Sequence, residues 1–237
     1  MIRIGTAGWT IPRRHAQHFP AEGSGLQRYA AQFDAAEINS TFYRSHKPQT
    51  YARWVASVPE SFRFAVKIPK SITHERRLVD VTELVERFAE EVAALGSNLG
   101  PVLVQLPPSL ALDAAIAQEF LRTLRKRIKG PIALEPRHAT WFTAEADRVL
   151  IDSNVARVAA DPARVPAAAL PGGATSLAYF RLHGSPRMYY SEYDTAFLNA
   201  LFAAMRGTAA EDTWCIFDNT VSGAAAGNAL TLRQAMR

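Results

Sequence analysis

The chain has 237 residues, of which 48% are hydrophobic and 21% are charged, a composition typical of a globular protein. Its formal net charge of +5 at pH 7 favours anionic partners, although the basic residues are scattered. A single cysteine excludes an intrachain disulfide, and no apolar stretch is long enough for a membrane span. We expect one domain over residues 1–237, a cytoplasmic location and no membrane partner, while the oligomeric state is left open.

Eight short apolar runs, each ending in a small polar cluster, recur along the chain. They lie at residues 3–9, 35–43, 63–74, 101–109, 131–138, 156–164, 177–184 and 213–219. Segments with helical spacing or helix boundary signals separate most of them, at residues 24–33, 48–57, 80–95, 113–128, 143–151, 191–205 and 223–236. This alternation is typical of βαβ units with a parallel sheet. We therefore predict an α/β fold, specifically a TIM-barrel-like (β/α)8 barrel.

The sixth unit departs from this pattern. The text after its strand, VPAAALPGGATS at residues 165–176, is too short and too interrupted by proline and glycine for a full helix. We predict one turn and a loop there, which makes the sixth βα unit degenerate.

Polar residues share one side-chain parity in six of the eight runs. Alternate side chains of a barrel strand face the interior and the surrounding helices. The residues on the parity opposite to the bulky apolar side chains are Glu37, Asn39, Lys67, Gln105, Glu135, Arg137, Arg181, His183 and Asp218. We predict that they point inward near the carboxyl ends of the strands, where barrels of this kind place their active sites.

Several strings in these runs are also found in a known family. They are IGTAGW with the later HFP, EINSTFYR, FAVKIPKSITH, LGPVLVQLPPS, LEPRHATWF, YFRLHG, and WCIFDN with the later NA at 228–229. Together they resemble the YecE-like family, also called domain of unknown function 72, from about residue 2 to residue 232. The resemblance implies a TIM-barrel-like fold and implies no reaction. Residues 11–17 and 164–176 depart from the family pattern, which puts ligand contacts from these loops in doubt.

The polar clusters supply groups for acid–base chemistry and for ligand binding. The predicted catalytic residues are Glu135, His183, His74 and Asp218, which can exchange protons. The predicted substrate-binding residues are Glu37, Asn39, Tyr43, Lys67, Gln105, Arg137, Arg181 and Asn219, with Trp9 and Trp141 as stacking walls. Tyr189 and Tyr190 are candidates for a lid over the pocket or for surface packing.

Lys67 is the strongest single candidate, because a lysine that points into a barrel is costly unless it is paired. It could act as a base, as an imine-forming amine or as an anion clamp, and we favour the anion clamp. The alternative for the whole group is a self-contained salt-bridge network, with Glu135 and Lys67 or Asp218 and Arg181 as pairs.

Three functions remain open from the sequence. The favoured one is an enzyme, such as a hydrolase, lyase or isomerase, that acts on an anionic phosphorylated or carboxylated small molecule without an obligatory metal or cofactor. The second is a metal-dependent phosphodiesterase acting on nucleic acid, with a divalent metal held by Glu37, Glu135, His183 and Asp218. The basic charge gives that alternative only weak support. The third is a non-catalytic ligand-binding protein.

Overall fold

The computed structural model describes residues 1–236 and contains strands that alternate with helices. The strands are β1 (Ile2–Thr6), β2 (Ala35–Ile38), β3 (Arg63–Lys67), β4 (Leu99–Gln105), β5 (Ile132–Glu135), β6 (Ala156–Arg157), β7 (Ala159–Asp161), β8 (Gly172–Gly173), β9 (Leu177–Leu182) and β10 (Asp212–Phe217). The α-helices are α1 (Gly25–Ala30), α2 (Pro48–Val55), α3 (Thr82–Val92), α4 (Ala114–Arg127), α5 (Ala144–Asp152), α6 (Thr195–Arg206) and α7 (Ala224–Ala235). The predicted α/β fold is therefore confirmed.

The strands form two sheets whose neighbours are parallel, except for the short β8. One sheet has the order β1-β10-β9-β7, and the other has the order β2-β3-β4-β5-β6-β8. Strand β8 pairs antiparallel to β6. Since the main strands run in parallel, their carboxyl ends lie along the same edge, which is the edge where the polar clusters fall.

The two sheets meet at two places. Ala7, after β1, forms a single parallel bridge with Glu37, and the Gly8 N–H donates to the Glu37 carbonyl oxygen at 2.8 Å. The second junction lies in the sixth run, where β6 pairs with β5 and β7 pairs with β9. The predicted sixth strand is thus divided between the two sheets, a division that the apolar pattern did not indicate.

Two separate apolar clusters match the two parities of the strands. The larger one lies between strands and helices and contains Phe64, Val66, Val102 and Val104, for example. The smaller one, on the opposite parity, contains Ala35, Ala65, Leu103, Ala133, Ala156, Val158, Leu177, Tyr179, Trp214 and Ile216. The predicted alternation is therefore correct, and the polar residues continue the inner parity from two residues beyond the inner cluster, as with Ala65 and Lys67.

Side-chain caps stand at the start of four of the α-helices described above, α1, α4, α5 and α6. The Asp113 carboxylate accepts a hydrogen bond from the Ile116 N–H at 3.0 Å at the start of α4. Asp194 accepts one from the Phe197 N–H at 2.8 Å at the start of α6. Such caps satisfy backbone donors that the first helical turn leaves unpaired, so these helices start at defined positions.

The sixth unit has no α-helix between β7 and β9 within the described residues. A 3-10 turn at Pro166–Ala169 and the two-residue β8 replace it, as the sequence predicts. A mostly apolar cavity of about 500 Å³ lies along β9 and the end of α6, lined by residues such as Leu170, Ala178, Phe180 and Ala210. No helix within residues 1–236 combines the length and apolar character that crossing a membrane requires.

The approach of β1 to β2 depends on Gly5. A Cβ atom at this position would lie 2.2 Å from the Ala35 carbonyl oxygen, so Gly5→Ala must push the two backbones apart. We expect a loss of about 3 kcal/mol of unfolding free energy and a thermal midpoint roughly 6–12 °C lower. Gly130→Ala is the matched control, because a Cβ atom at residue 130 would meet no other atom within 4 Å. Equal midpoints for the two variants would show that β1 and β2 do not need this close approach.

Candidate functional site

The polar side chains predicted at the strand ends are mostly buried together at the carboxyl-terminal edge of the sheets. Seven of them are almost inaccessible to solvent: Glu37, Lys67, Gln105, Glu135, Arg181, His183 and Asp218. They come from β2, β3, β4, β5 and β9 and from the residues that directly follow β9 and β10. Buried charged groups are rarely found unless they are paired, so their contacts decide what each can do.

Arg181 lies at the centre of these contacts. Its Nε lies 3.0 Å from Glu37 Oε2, and its Nη2 lies 2.7 Å from Glu37 Oε1. Nη2 also lies 3.0 Å from Asp218 Oδ2, and Nη1 lies 3.1 Å from Glu135 Oε2. We call Glu37, Glu135, Arg181, His183 and Asp218 the buried ion network. The predicted role of Arg181 as a ligand clamp needs correction, because these carboxylates already engage all three guanidinium nitrogens.

Glu135 collects the largest number of donors in the network. Gln105 Nε2 lies 3.0 Å from each of its oxygens, and Arg137 Nε and Nη2 lie 3.2 and 3.1 Å from Oε1. Burial would raise the pKa of Glu135, but the positive charges of His183 and Arg181 outweigh it and hold the pKa well below its usual range. A carboxylate held in this form is a weak base.

His183 is clamped between two carboxylates. Its Nε2 lies 2.9 Å from Glu135 Oε1, and its Nδ1 lies 3.0 Å from Asp218 Oδ2. Burial would lower the pKa of His183, but the charge of Glu135 and the hydrogen bonds to Asp218 and Glu135 outweigh it and raise the pKa. Both ring nitrogens of His183 thus lie within hydrogen-bond distance of a carboxylate, an arrangement that favours the protonated imidazole and positions the carboxylates.

The charges around this network cancel. Within the network, the three carboxylates of Glu37, Glu135 and Asp218 face Arg181 and His183, and Arg137, which pairs with Glu135, completes the balance when His183 is protonated. Tyr179 adds a neutral donor, with its hydroxyl 2.9 Å from Glu37 Oε2. A further positive charge at this edge is therefore a surplus that the described residues do not neutralise.

Lys67 carries that surplus. Its side chain is only 6% exposed, and its Nζ lies 3.9 Å from the centre of the Phe42 ring. It forms no ion pair with any carboxylate of residues 1–236, so the predicted pair of Lys67 with Glu135 is wrong, whereas the pair of Asp218 with Arg181 is confirmed. Burial and then the positive charge of Arg181 lower the pKa of Lys67 to about 8.

His74 packs edge-on against the same aromatic ring. The centres of the Phe42 and His74 rings are 4.9 Å apart, and Thr73 Oγ1 lies 2.8 Å from His74 Nδ1. Burial lowers the pKa of His74, and the positive charges of Lys67 and Arg137 lower it further. His74 is therefore a neutral imidazole at pH 7 that lies close to two cations. We call Lys67, His74 and Arg137 the outer group.

The two tryptophans predicted as stacking walls have other partners. Trp141 is buried in the larger apolar cluster, and its Nε1 donates to the Leu110 carbonyl oxygen at 3.0 Å. Trp9 is half-buried and packs edge-on against Trp54 and Phe64, with ring centres 5.1 and 6.1 Å apart. The stacking role of Trp141 is corrected, because no face of its ring is open to a ligand.

Three further predicted binding residues differ in their surroundings. Tyr43 is 73% exposed on the surface. Asn219 is fully buried and donates to the Ser191 carbonyl oxygen at 2.8 Å and to Asn228 Oδ1 at 2.9 Å, so its amide holds the loop before α6. Asn39 directly follows β2, and its Oδ1 is buried without a hydrogen-bond partner.

Phe42 is a site residue that sequence reasoning missed. It lies inside the string EINSTFYR, where its exposed neighbour Tyr43 was selected instead, and strand parity could not identify it because it ends the Ser40–Phe42 turn after β2. Tyr189, one of the lid candidates, lies edge-on to His183 with ring centres 5.8 Å apart. Its φ of 68° is unusual for a tyrosine, and such backbone strain is concentrated at functional positions.

The opening at this edge is small and positively charged. A cavity of about 20 Å³ is lined by Glu135, Arg137, Arg164, His183 and Met188, among others. The exposed Arg164 was not predicted. Within the described part of the chain, no group of three or more His, Cys, Asp or Glu side chains is arranged to hold a metal ion. The guanidinium of Arg181 occupies the space between the carboxylates that the metal alternative requires.

Arg181→Met tests the dependence of the fold on its buried guanidinium. We expect a loss of about 3–5 kcal/mol of unfolding free energy, because the substitution leaves three buried carboxylates without their shared partner. Urea unfolding followed by circular dichroism measures this loss. Arg122→Met, which breaks an exposed pair with Glu119, should leave the midpoint nearly unchanged. A similar midpoint for both variants would contradict the central role of Arg181.

The raised pKa of His183 predicts a pH-dependent stability. Its contribution is fully present below the ordinary value of 6.5 and is lost as the pH rises through the folded-state pKa. We therefore expect His183→Gln to lose more unfolding free energy relative to the wild type at about pH 6 than at about pH 9. Urea unfolding of both proteins at the two pH values checks this. An equal deficit at both would show that His183 is not protonated in the folded protein.

Relatives and solved structures resemble this chain to different degrees. The UPF0759 protein YecE of Escherichia coli K12 is 29% identical over 143 residues, and YunF of Bacillus subtilis 168 is 29% identical over 153 residues. Each match covers 60% of this chain, and the matched region spans about half the length of these curated relatives, 50% and 53% respectively.

Among solved structures, a DUF72 family protein from Thermotoga maritima MSB8 has a TM-score of 0.82 and 26% identity, and the match covers 100% of this chain and 99% of that one. The 3-keto-D-glucoside 4-epimerase YcjR of E. coli has a TM-score of 0.54 and 15% identity, with coverage of 100% and 99%, so that likeness concerns the fold alone. Residues 3–237 match the family model described as protein of unknown function DUF72, and the chain therefore belongs to this family, as its motifs indicate.

Proposed function

We propose that this protein is an enzyme that binds an anionic small molecule, carrying a phosphate or a carboxylate, and performs acid–base chemistry on it without an obligatory metal. The fold in this proposal is a (β/α)8 barrel whose two sheets join at β1 with β2 and at β6 with β7. The fold likeness to YcjR is in keeping with such a barrel. In barrels of this kind, ligands bind at the carboxyl-terminal edge, where the outer group lies.

One observation carries the proposal, namely a buried ammonium group without a carboxylate partner. Transfer of a charge into a protein interior costs several kcal/mol unless a partner compensates for it. Lys67 Nζ lies 3.9 Å from the centre of the Phe42 ring and forms no ion pair with a described carboxylate, while the carboxylates of the network are paired with Arg181, His183 and Arg137. An anionic ligand beside Lys67 supplies the missing negative charge, and Arg137 and Arg164, which line the small cavity at the same edge, add positive charge.

The same geometry divides the predicted catalytic residues into two kinds. His74 is neutral, half-buried and next to both cations, so it is the group that can accept a proton from a bound anion. Glu135, His183 and Asp218 hold one another, and their role is to fix Arg137 and the strand ends. The proposed substrate is a cytoplasmic metabolite.

Lys67→Met tests ligand binding, with Lys70→Met as the matched control. Lys70 lies three residues later, is exposed and pairs with Glu75 at 2.9 Å. Thermal melts with inorganic phosphate, phosphorylated sugars and dicarboxylates should give a ligand that raises the wild-type midpoint by roughly 5–10 °C at about 100 times its Kd. Lys67→Met should bind that ligand about 10- to 100-fold more weakly, and Lys70→Met should bind it normally.

The stability of Lys67→Met without ligand shows whether the variant is folded. Because the pKa of Lys67 is lowered to about 8, its ammonium destabilises the fold below that pH, and this penalty fades as the pH rises towards 10.5. Lys67→Met should therefore be more stable than the wild type at pH 7 by about 1–3 kcal/mol. Equal anion shifts in all three proteins would refute the proposal, and binding without turnover of any ligand would favour a non-catalytic binder.

A further inference from the structure

The position of Lys67 suits a covalent role as well as an electrostatic one. The amine lies at the end of β3, at the edge where a ligand would enter, and no described carboxylate holds it as an ammonium by direct contact. The Phe42 ring covers one side, which limits water around Nζ. The charged groups around it all belong to the buried ion network: Arg181 lowers the pKa of Lys67, and Glu37, Glu135 and Asp218 raise it.

A group that can transfer protons packs on the same aromatic ring as this amine. His74 lies on the Ser71–Glu75 turn after β3, contacts the same Phe42 ring and is neutral at pH 7. Its Nδ1 is paired with the Thr73 hydroxyl, which leaves Nε2 as the ring nitrogen for exchange. A buried amine, an aromatic ring and a neutral imidazole therefore come from the end of β3 and from the turns that follow β2 and β3.

We infer that Lys67 is a nucleophile that forms an imine with the carbonyl group of an anionic carbonyl compound, such as a 2-oxo acid or a phosphorylated aldehyde or ketone. This inference rests on the proposed function, because Arg137 and Arg164 supply the attraction for the anionic end while Lys67 supplies the amine. Lysines that are desolvated in a site or placed next to another cation are activated for this chemistry.

The step balances without an oxidant or a reductant. The unprotonated Nζ adds to the carbonyl carbon as the carbon–oxygen π bond breaks, and a proton moves from nitrogen to oxygen to give a carbinolamine. A proton delivered to the hydroxyl, with His74 as the relay, lets it leave as water while the nitrogen lone pair forms the C=N bond. One amine, one carbonyl and one proton become one iminium and one water.

Reductive trapping of the full-length chain tests the inference. The protein is treated with glyoxylate and sodium cyanoborohydride at pH 7, and peptide mass spectrometry follows carboxymethylation of each lysine. We expect Lys67 to be modified at least about ten-fold faster than Lys70, since an amine with a lowered pKa has a larger unprotonated fraction. Lys67→Met should remove the fast phase, Lys70→Met should retain it, and His74→Gln should slow it.

A neutral aldehyde separates this inference from the proposed function. Glycolaldehyde replaces glyoxylate, and anion binding is followed separately by thermal melts with phosphate. Fast trapping at Lys67 that favours glyoxylate supports both ideas. Equal trapping of both aldehydes at Lys67, without any anion shift, keeps the nucleophile and refutes the anion site. Anion binding by Lys67, with trapping no faster than at Lys70, overturns the imine and leaves the proposed function intact.

Discussion

Arg181 constrains the whole carboxyl-terminal edge, since one fully buried guanidinium meets carboxylates from β2, from the end of β5 and from the residue after β10. The bonds are directional, so each strand must end at a fixed height and rotation relative to β9. Charge pairs of this kind contribute little net stability compared with apolar packing, but they are costly to break. The main effect of the network is therefore to fix the register of the strands relative to one another. It also joins the two sheets across their interior.

The positions and charges of the outer group depend on the buried ion network. Glu135 accepts hydrogen bonds from two nitrogens of Arg137 and so fixes that side chain. Because Arg137 completes the charge balance of the network, the charge of Lys67 is left without a carboxylate partner. A protein selected for stability alone would place an apolar side chain at this position of β3. A lysine at this position, packed on the Phe42 ring near a neutral imidazole, lowers the stability of the fold. Such local losses of stability are typical of functional sites.

Much of this arrangement follows from the sequence because strand parity is a strict rule. Ala65 before Lys67 and Ala133 before Glu135 show which face is crowded, and the polar residue two positions later must point the same way. The missing sixth helix is likewise readable from its prolines and glycines. These predictions need only local geometry, which the chain encodes residue by residue.

The predictions that were wrong share one cause: strand parity gives the direction of a side chain but not its distance from other groups. Trp141 lies beyond the end of its strand, where alternation no longer applies, and it turns into the outer core. Arg181 and Lys67 share one parity, yet only the guanidinium of Arg181 reaches several carboxylates at once. The length of the arginine side chain and its forked guanidinium explain this difference. The division of the sixth strand depends on which neighbour each half meets, and that is a tertiary choice.

The apolar cavity beside β9 has a consequence for how this architecture can vary. It lies at the amino-terminal side of the strand, near Leu177 and Ala210, whereas the ion network lies at the opposite edge. Extra residues inserted after the Pro166–Ala169 turn could fold into the space that a sixth helix would occupy and bury the exposed Leu170. The segment after the Pro166–Ala169 turn can therefore accept an insertion without a change at the polar edge.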